Sequence, residues 1–597
     1  GVPQGSVLSP VLFNIFLSSI PLHRDIHVYV YADDIAFFAS NHDLHSLYQM
    51  IQNYLSALET WIETIHMSLN VRKSALLLFP LDVPVHISLM YRQEFIPQVD
   101  SLKYLGITYD GTLNWKSHIE NVASKATRAV GWLRKISKRR YGLRRHTLIM
   151  IYKMYVRPIM EFGCVLFSGS PAYKIQPLVL LEREALRLCL GLPKFVANTV
   201  LYMEARLPCL KSRFRILTVQ TYLKFYDSPQ RRAMYVFINE ASTFFNNRWS
   251  RLHTPQIVFV QAQLAPLNVQ IQRILPKSQS KKSLQIEFDD IFPSNAKLMP
   301  FQYLNDQLQD YLSHLETSNI IATDASLSDE KAGVGIFSPS LSWSFSIRLP
   351  DYTPIFIAEL LAIVLALRKL PENQLSAVVV TDSRSVCASL SSTSNTTILN
   401  VFQNLVPTTL QKVTLLWVPG HCGLHLNEMA DLLARTSLSG PLIPILPDTA
   451  YVTASRFRTF CLRNDSSKLP LIPSGDFEHL GFCWNNQWCP SRQLEVTYSR
   501  LRCRIPELNF YLHRAGLTMS PLCHICKEIE TIDHYFLSCR RYSNQRKILL
   551  EAPLCKIGLG LSTPVLLSFG ASTLGYCHRD VCCAVFDFLT ETRRLPC

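Results

Sequence analysis

Between residues 319 and 435 the apolar positions switch between a period of two and a period of 3.6. Residues 319–323 form a short apolar run ending at Asp324, and 333–337 follow after a polar turn. That pattern predicts two strands joined by a hairpin, with a carboxylate at a strand end. Residues 341–349 alternate apolar with polar side chains and predict a third strand. Residues 357–367 place Ile357, Leu360, Leu361, Val364 and Leu365 at helical spacing, with Glu359 as the only charge. A lone glutamate in so apolar a helix is costly unless its charge is compensated. The β-branched run 377–380 stops at Thr381-Asp382 and leads into a polar helix start. Residues 413–417 predict another strand, 419–423 a loop carrying His421, and 426–435 a helix with Asn427 and Asp431 on one face. Strands followed by alternating helices and strands imply a mixed sheet with helices packed on it.

Asp324, Glu359, Asp382 and Asp431 each fall where an apolar element meets a turn or the sheet edge. Carboxylates gathered in one cleft raise one another's pKa, and divalent cations relieve that repulsion. Hard oxygen ligands without cysteine select Mg²⁺ or Mn²⁺, and an ion pair held this way activates water and stabilises the leaving oxygen of a phosphodiester. The motifs TDAS, AEL, TDS and WVPGHCGLHLNEMAD, in this order, resemble the type 1 ribonuclease H domain. The resemblance implies that Asp324, Glu359, Asp382 and Asp431 are the metal-binding acids. Asp324 and Asp382 would bridge or flank the ions, Glu359 and Asp431 complete the shell, and His421, in a mobile loop, assist proton transfer or product release.

The 597-residue chain is long enough for several domains, and at 48% hydrophobic residues it buries real cores. A net charge of +15 suits a polyanionic partner, nucleic acid first, although membrane surfaces also attract basic proteins. No apolar run is long enough to span a bilayer. The 17 cysteines are scattered, which favours a reducing compartment and makes a metal site the better use of any tight cluster. An intracellular location, cytoplasmic or nuclear, is therefore expected. The chain begins with Gly1, preceded by no signal peptide, and reads as a fragment.

Residues 1–20, GVPQGSVLSPVLFNIFLSSI, predict a glycine-bearing loop and then a helix with Ser9 as N-cap and Pro10 in its first turn. HVYVYADDIAFFAS predicts a hairpin presenting Asp33 and Asp34. With the helix predicted over 44–67, LNVRKSALLLF and SLKYLGITYD, these pieces resemble the back half of a reverse transcriptase palm from non-LTR retrotransposons, of the jockey and I-like kind. By that resemblance Gln4 and Gly5 shape the template and nucleotide pocket, Asp33 and Asp34 hold Mg²⁺, Lys73 lies near the triphosphate, and residues 104–106 grip the primer end. The family's first metal-binding aspartate and its fingers precede the glycine loop, so polymerase activity is not expected of this chain alone.

Residues 116–145 carry ten lysines and arginines against Glu120. They are either a solvated helix face or, by position after the palm, a thumb tracking a nucleic-acid backbone. Trp132 and Tyr141 are candidates for base stacking, with core packing favoured for Trp132. Residues 228–315, weakly patterned and carrying Pro255, Pro266, Pro276 and KSQSKK, read as a linker. Near the C-terminus LTMSPLCHICKEIETIDHYFLSC sets Cys523, Cys526, His534 and Cys539 at a spacing that suits tetrahedral Zn²⁺ in a structural role, with His524 and Cys503 as possible substitutes. Basic stretches at 500–504 and 511–514 precede it.

The expected architecture is multidomain α/β: a truncated α+β polymerase palm over 1–110, a helical thumb and connection over 111–227, a linker over 228–315, a ribonuclease H-like mixed α/β sheet over 316–438, and a C-terminal region over 439–597 with a zinc knuckle at 523–539. The expected activity is cleavage of the RNA strand of RNA:DNA hybrids. The expected partners are such hybrids, single-stranded RNA or DNA, and the missing N-terminal part of a polyprotein, with no membrane. The alternative is a catalytically inactive or domesticated nucleic-acid-binding remnant.

Overall fold

The computed structural model describes residues 5–79, 86–228, 231–245, 256–269, 284–293, 299–314, 319–328, 330–371, 373–392, 405–442, 449–467, 488–567 and 578–596, apart from 294–295 and 297–298 and with single positions between these spans. They divide into two compact units, Gly1–Ser124 with Ser170–Lys174, and Lys125–Gly169 with Ile175–Cys597.

The first unit is made of local hairpins around one long helix. Strands β1 (Ile26–Tyr31) and β2 (Asp34–Ala39) pair antiparallel, Tyr31 opposite Asp34. Ala32 takes φ +51° in the two-residue turn, the hand that matches strand twist. Asp43 caps the helix Leu44–Thr64 by accepting from the amides of His45 and Ser46. That helix buries Ile51, Tyr54, Leu55, Leu58 and Ile62, a stripe at helical spacing. Two further hairpins follow, β3 (Leu89–Tyr91) with β4 (Glu94–Ile96), and β5 (Ser101–Tyr104) with β6 (Ile107–Asp110).

The second unit contains a six-stranded mixed sheet, β7 (Gln285–Asp289), β8 (Ile320–Ser328), β9 (Lys331–Ser338), β10 (Trp343–Leu349), β11 (Ser376–Thr381) and β12 (Lys412–Trp417). Its spatial order is β10-β9-β8-β11-β12-β7. β8, β9 and β10 are antiparallel, while β8, β11, β12 and β7 run parallel. Because strand side chains alternate faces, Ala377 and Val379 enter one core and Val378 and Val380 the other. The helix Ile355–Arg368, buried from Ile357 to Leu367, fills the first core. The helix His425–Ser437 lies on the second face through Leu426 and Ala430. Its approach is set by Gly333 and Gly335 on β9: a Cβ at either would overlap the backbone of Ala430 or Ala434. The sequence GVG is thus a seat for a helix.

The stretch 228–315, predicted as a linker, holds structure of its own. Helix Arg232–Phe245 and Val260–Leu264 precede β7, which extends the sheet beyond β12. Helix Phe301–Ser313 then buries Leu304 and Leu308 in the second core with Leu416 and Leu424. Five residues of strand, paired only with a partner more than a hundred positions away, leave too short a signal beside the prolines for periodicity to find.

Residues 111–227 carry helices, Lys116–Ile136, Ala172–Leu190 and Leu210–Asp227 being the longest. The basic run is not wholly free for nucleic acid, however. Arg139 pairs with Glu507 at 2.7 Å, Arg144 with Glu495 at 3.3 Å and Arg145 with Glu204 at 2.5 Å. In the later basic stretch Arg502 is buried against Glu204 at 3.1 Å, and Arg500 pairs with Glu507. Arg139–Glu507, Arg144–Glu495 and Arg502–Glu204 join the helical region to the C-terminal region, while Arg145–Glu204 and Arg500–Glu507 each lie within one of them. Among the exposed residues of the helix Lys116–Ile136, Lys125, Arg128, Trp132 and Lys135 share one face by spacing. Trp132 is 48% exposed, so core packing does not account for it; its ring meets Tyr155 at 5.9 Å. Among the described residues no helix is long and apolar enough to cross a membrane.

Candidate functional site

β8 carries Asp324, the apolar helix carries Glu359, and the end of β11 delivers Asp382; a carboxylate oxygen of each lies within 4.8 Å of the others. Burial first, then the charges of Asp382 and Asp431, pushes the Asp324 carboxyl up to about 8. Burial also drives Glu359 well above the carboxylate range, with Asp324 and Asp382 adding to it. Glu359 is 5% exposed and its Oε2 has no hydrogen-bond partner. An oxygen left bare in such a place fits a cation ligand, since an unpaired buried charge is otherwise costly. Asp431 stands beside this trio and not in it. It accepts from Arg435 Nε at 2.9 Å and lies 3.7 Å from His421 Nδ1.

Several residues that shape the site escaped the sequence reading. Arg435 neutralises Asp431, and its spacing of four on one helix was the available signal. Trp417 Nε1 donates to the Asp382 carbonyl at 3.0 Å, and the Arg384 guanidinium lies 5.2 Å from the Trp417 ring. Gly420 lies against the Asp382 carboxylate so closely that a Cβ there would overlap Oδ2. Gly420→Ala is therefore expected to swing Asp382 out of the trio and weaken Mg²⁺ binding about tenfold or more. Titration of Mg²⁺ against melting temperature measures this; an unchanged midpoint sinks the claim.

In the first unit Asp33 sits in the β1–β2 turn and Asp34 opens β2, both exposed. Burial and then the Asp34 charge raise the Tyr104 phenol, which brings the β5–β6 turn, with Leu105 and Gly106 both at positive φ, to the side of this hairpin. Gly5 takes φ +87°, which suits glycine alone. Lys73 closes a short 3₁₀ turn capped by Asn70 and is exposed. Gln4 lies outside the described residues. Among the described residues Asp33 and Asp34 remain a pair, with no third metal-ligating side chain grouped with them.

Cys523, Cys526, His534 and Cys539 come together, their ligand atoms all within 4.8 Å. Cys539 Sγ lies 4.0 Å from Cys523 Sγ and 3.8 Å from Cys526 Sγ. His534 Nδ1 is 3.1 Å from Glu528, and its buried Nε2 has no partner. That orphaned nitrogen beside three thiols fits Zn²⁺, and the glutamate behind it fits the usual orientation of a ligating imidazole. Against a desolvation penalty, the Arg540 amide and the neighbouring thiols hold Cys526 below its ordinary value, while burial pushes Cys539 up to about 12. His524 is exposed, and Cys503 is buried at the end of helix Arg492–Arg502; neither joins the group.

Residues 1–109 match the family model for reverse transcriptase (RNA-dependent DNA polymerase), and residues 316–439 match that for RNase H. The RNA-directed DNA polymerase from mobile element jockey of Drosophila melanogaster is 25% identical over 232 residues, 38% of this chain and 25% of that protein. The probable RNA-directed DNA polymerase from transposon BS of the same organism is 26% identical over 217 residues, 35% of this chain and 24% of that protein. The chain thus matches about a quarter of the length of these curated relatives. Residues 1–109 are thus similar to reverse transcriptases and residues 316–439 to RNase H, and the relatives matched are RNA-directed DNA polymerases of mobile elements.

Proposed function

We propose that the 316–439 domain cleaves the RNA strand of RNA:DNA hybrids. The observation that carries this reading is the grouping of buried Asp324 and Glu359 with half-buried Asp382, one Glu359 oxygen having no hydrogen-bond partner. An all-oxygen set suits Mg²⁺ or Mn²⁺. When bound, the divalent ions supply a water activated for attack and offset charge on the leaving oxygen. Asp324, Asp382 and Glu359 would hold the cations, and Asp431 is kept in position by Arg435. His421, next to Asp431, takes up and returns a proton. Strand choice follows from the 2′-hydroxyls that mark the RNA strand of a hybrid. The exposed Lys125, Arg128, Trp132 and Lys135 face offers backbone contact and a stacking surface, without sequence choice.

For residues 1–109 the reading is the RNA-directed DNA polymerase chemistry of their family, with Asp33 and Asp34 as cation ligands. Among the described residues Asp33 and Asp34 stand as a pair, and whether the chain extends primers is decided by assay. The C-terminal Cys₃His group is read as a structural zinc site, because four protein ligands leave no open position. One experiment tests the central reading. The purified 597-residue chain is given a labelled RNA:DNA hybrid, the same RNA in an RNA duplex, and a primed template with nucleotides. Mg²⁺-dependent cutting of the hybrid RNA alone is expected. A chain that binds hybrid and leaves it whole supports the non-catalytic remnant instead, and primer extension that vanishes in Asp33→Ala refutes the inactive polymerase.

A further inference from the structure

The residues between 285 and 313 lie outside the stretch that matches the RNase H family, yet they touch both sides of the loop that carries His421. On one side β7 adds to β12 in parallel register, Gln285 opposite Lys412 through Asp289 opposite Leu416. The chain then turns so that Asp290 pairs with Arg384 and the Phe292 ring meets Trp417 at 6.4 Å. Arg384 and Trp417 are the two side chains that flank the Asp382 backbone. On the other side, helix Phe301–Ser313 starts with Phe301, whose ring lies where a Cβ on Gly423 would meet it at 3.2 Å. Tyr311, late in that helix, donates back to Asp289, which ties the two halves together.

The loop between these contacts is backbone under constraint. His421 takes φ +58° and Gly423 φ +81°, and the Gly423 amide donates to Glu428 at 3.2 Å. The left-handed region is uncommon for non-glycine residues, though less so for histidine than for most. Leu424, the next residue, is buried in the core with Leu304 and Leu308 of the same helix. His421 itself is 67% exposed and makes its recorded charge contact with Asp431, so packing of the ring does not fix the loop. The segment 417–424 is instead held at Trp417 by Phe292 and at Gly423 by Phe301, residues from before the family domain.

We propose that residues 285–293 and 299–313 are a brace built into the nuclease, and that Phe301 is a positioning residue which sets the loop bearing His421. This rests on the hybrid-nuclease reading, and the test separates the two. In the full chain, Phe301→Ala is expected to lower the single-turnover cleavage rate about tenfold with hybrid affinity within about twofold, the mark of a displaced proton-handling group. The same substitution in a His421→Ala background is expected to cost almost nothing more, since the two act as one unit. Phe301→Leu, which keeps an apolar contact on Gly423, is expected to recover most of the rate. The readout that does not need activity is the His421 ring resonance, assigned by its loss in His421→Ala, which should shift and broaden in Phe301→Ala at unchanged melting temperature. Equal losses in both backgrounds, or an unmoved His421 resonance, overturn the proposal. If the native chain cuts no hybrid, the nuclease reading fails alone, and the resonance still decides whether Phe301 sets the loop.

Discussion

Asp324→Asn is expected to abolish Mg²⁺-dependent cutting of a hybrid and, at the same time, to make the metal-free protein more stable. The two effects share one cause. Burial and the charges of Asp382 and Asp431 lift the Asp324 carboxyl to about 8, so the fold takes up a proton there that the unfolded chain, near the ordinary carboxylate value, does not. The sign follows directly: stability from this group is fully present below the unfolded value and is lost as pH rises through about 8. At pH 9 without metal the variant should therefore melt above the native chain, and near pH 5 the gap should shrink. Each pKa unit corresponds to about 1.4 kcal/mol, so even a small part of the shift moves melting by about 2–4 °C in a domain of ordinary size. Added Mg²⁺ should reverse the order, raising the native chain and leaving the variant almost where it was. The loss in rate, several kcal/mol of lost charge stabilisation, is about a thousandfold. A variant that melts below the native chain at pH 9 without metal removes the claim that these acids repel one another in a shared site.

Much of that site is written in local patterning. The strand that carries Asp324, the apolar helix around Glu359 and the strand stopping just before Asp382 are each legible because periods of two and 3.6 separate strand from helix. Asp324, however, expected at a strand end, lies in the middle of β8, which runs on to Ser328. What escaped depends on contacts between distant residues. Gly420 looks like loop punctuation until Asp382 is found against it, and nothing in the predicted strand 333–337 tells why two of its residues are glycine until the Asp431 helix is found lying on them. Charge misled for the same reason. Arg139, Arg144 and Arg145 read as a surface for phosphates, yet their partners Glu507, Glu495 and Glu204 are 59 or more positions away in sequence, where no helical spacing pairs them. The short strand β7 was hidden among prolines because parallel pairing leaves no hairpin signal beside it.

Replacing Cys523 and Cys526 together with serine is expected to take the zinc from the chain and to loosen the whole C-terminal core, a larger effect than a surface knuckle would give. Cys523 and Cys539 are not on a rim. They are buried in one cluster with Leu508, Ile532, Tyr535, Phe536 and Phe588. The ligand His534 is followed directly by Tyr535 and Phe536, so the turn that aims the imidazole also seats two aromatic rings in that core. Structural zinc contributes about 10–16 kcal/mol of apparent binding free energy in small metal-folded peptides, more than a core of this size holds in net stability. Without it, the Cys539 thiol, pushed up to about 12 by burial, stays protonated beside its neighbours, and His534 Nε2 keeps no partner. Hydrogen exchange should then speed up across helix Asn509–Arg514 and the turn His534–Ser538, while the sheet β8–β12 keeps its protection because its cores are separate clusters. His524→Ala, at an exposed position outside the group, should retain full zinc. Metal content that stays the same in the double serine variant would withdraw the site, and exchange that speeds equally through the nuclease sheet would show that the C-terminal core does not fold as a unit of its own.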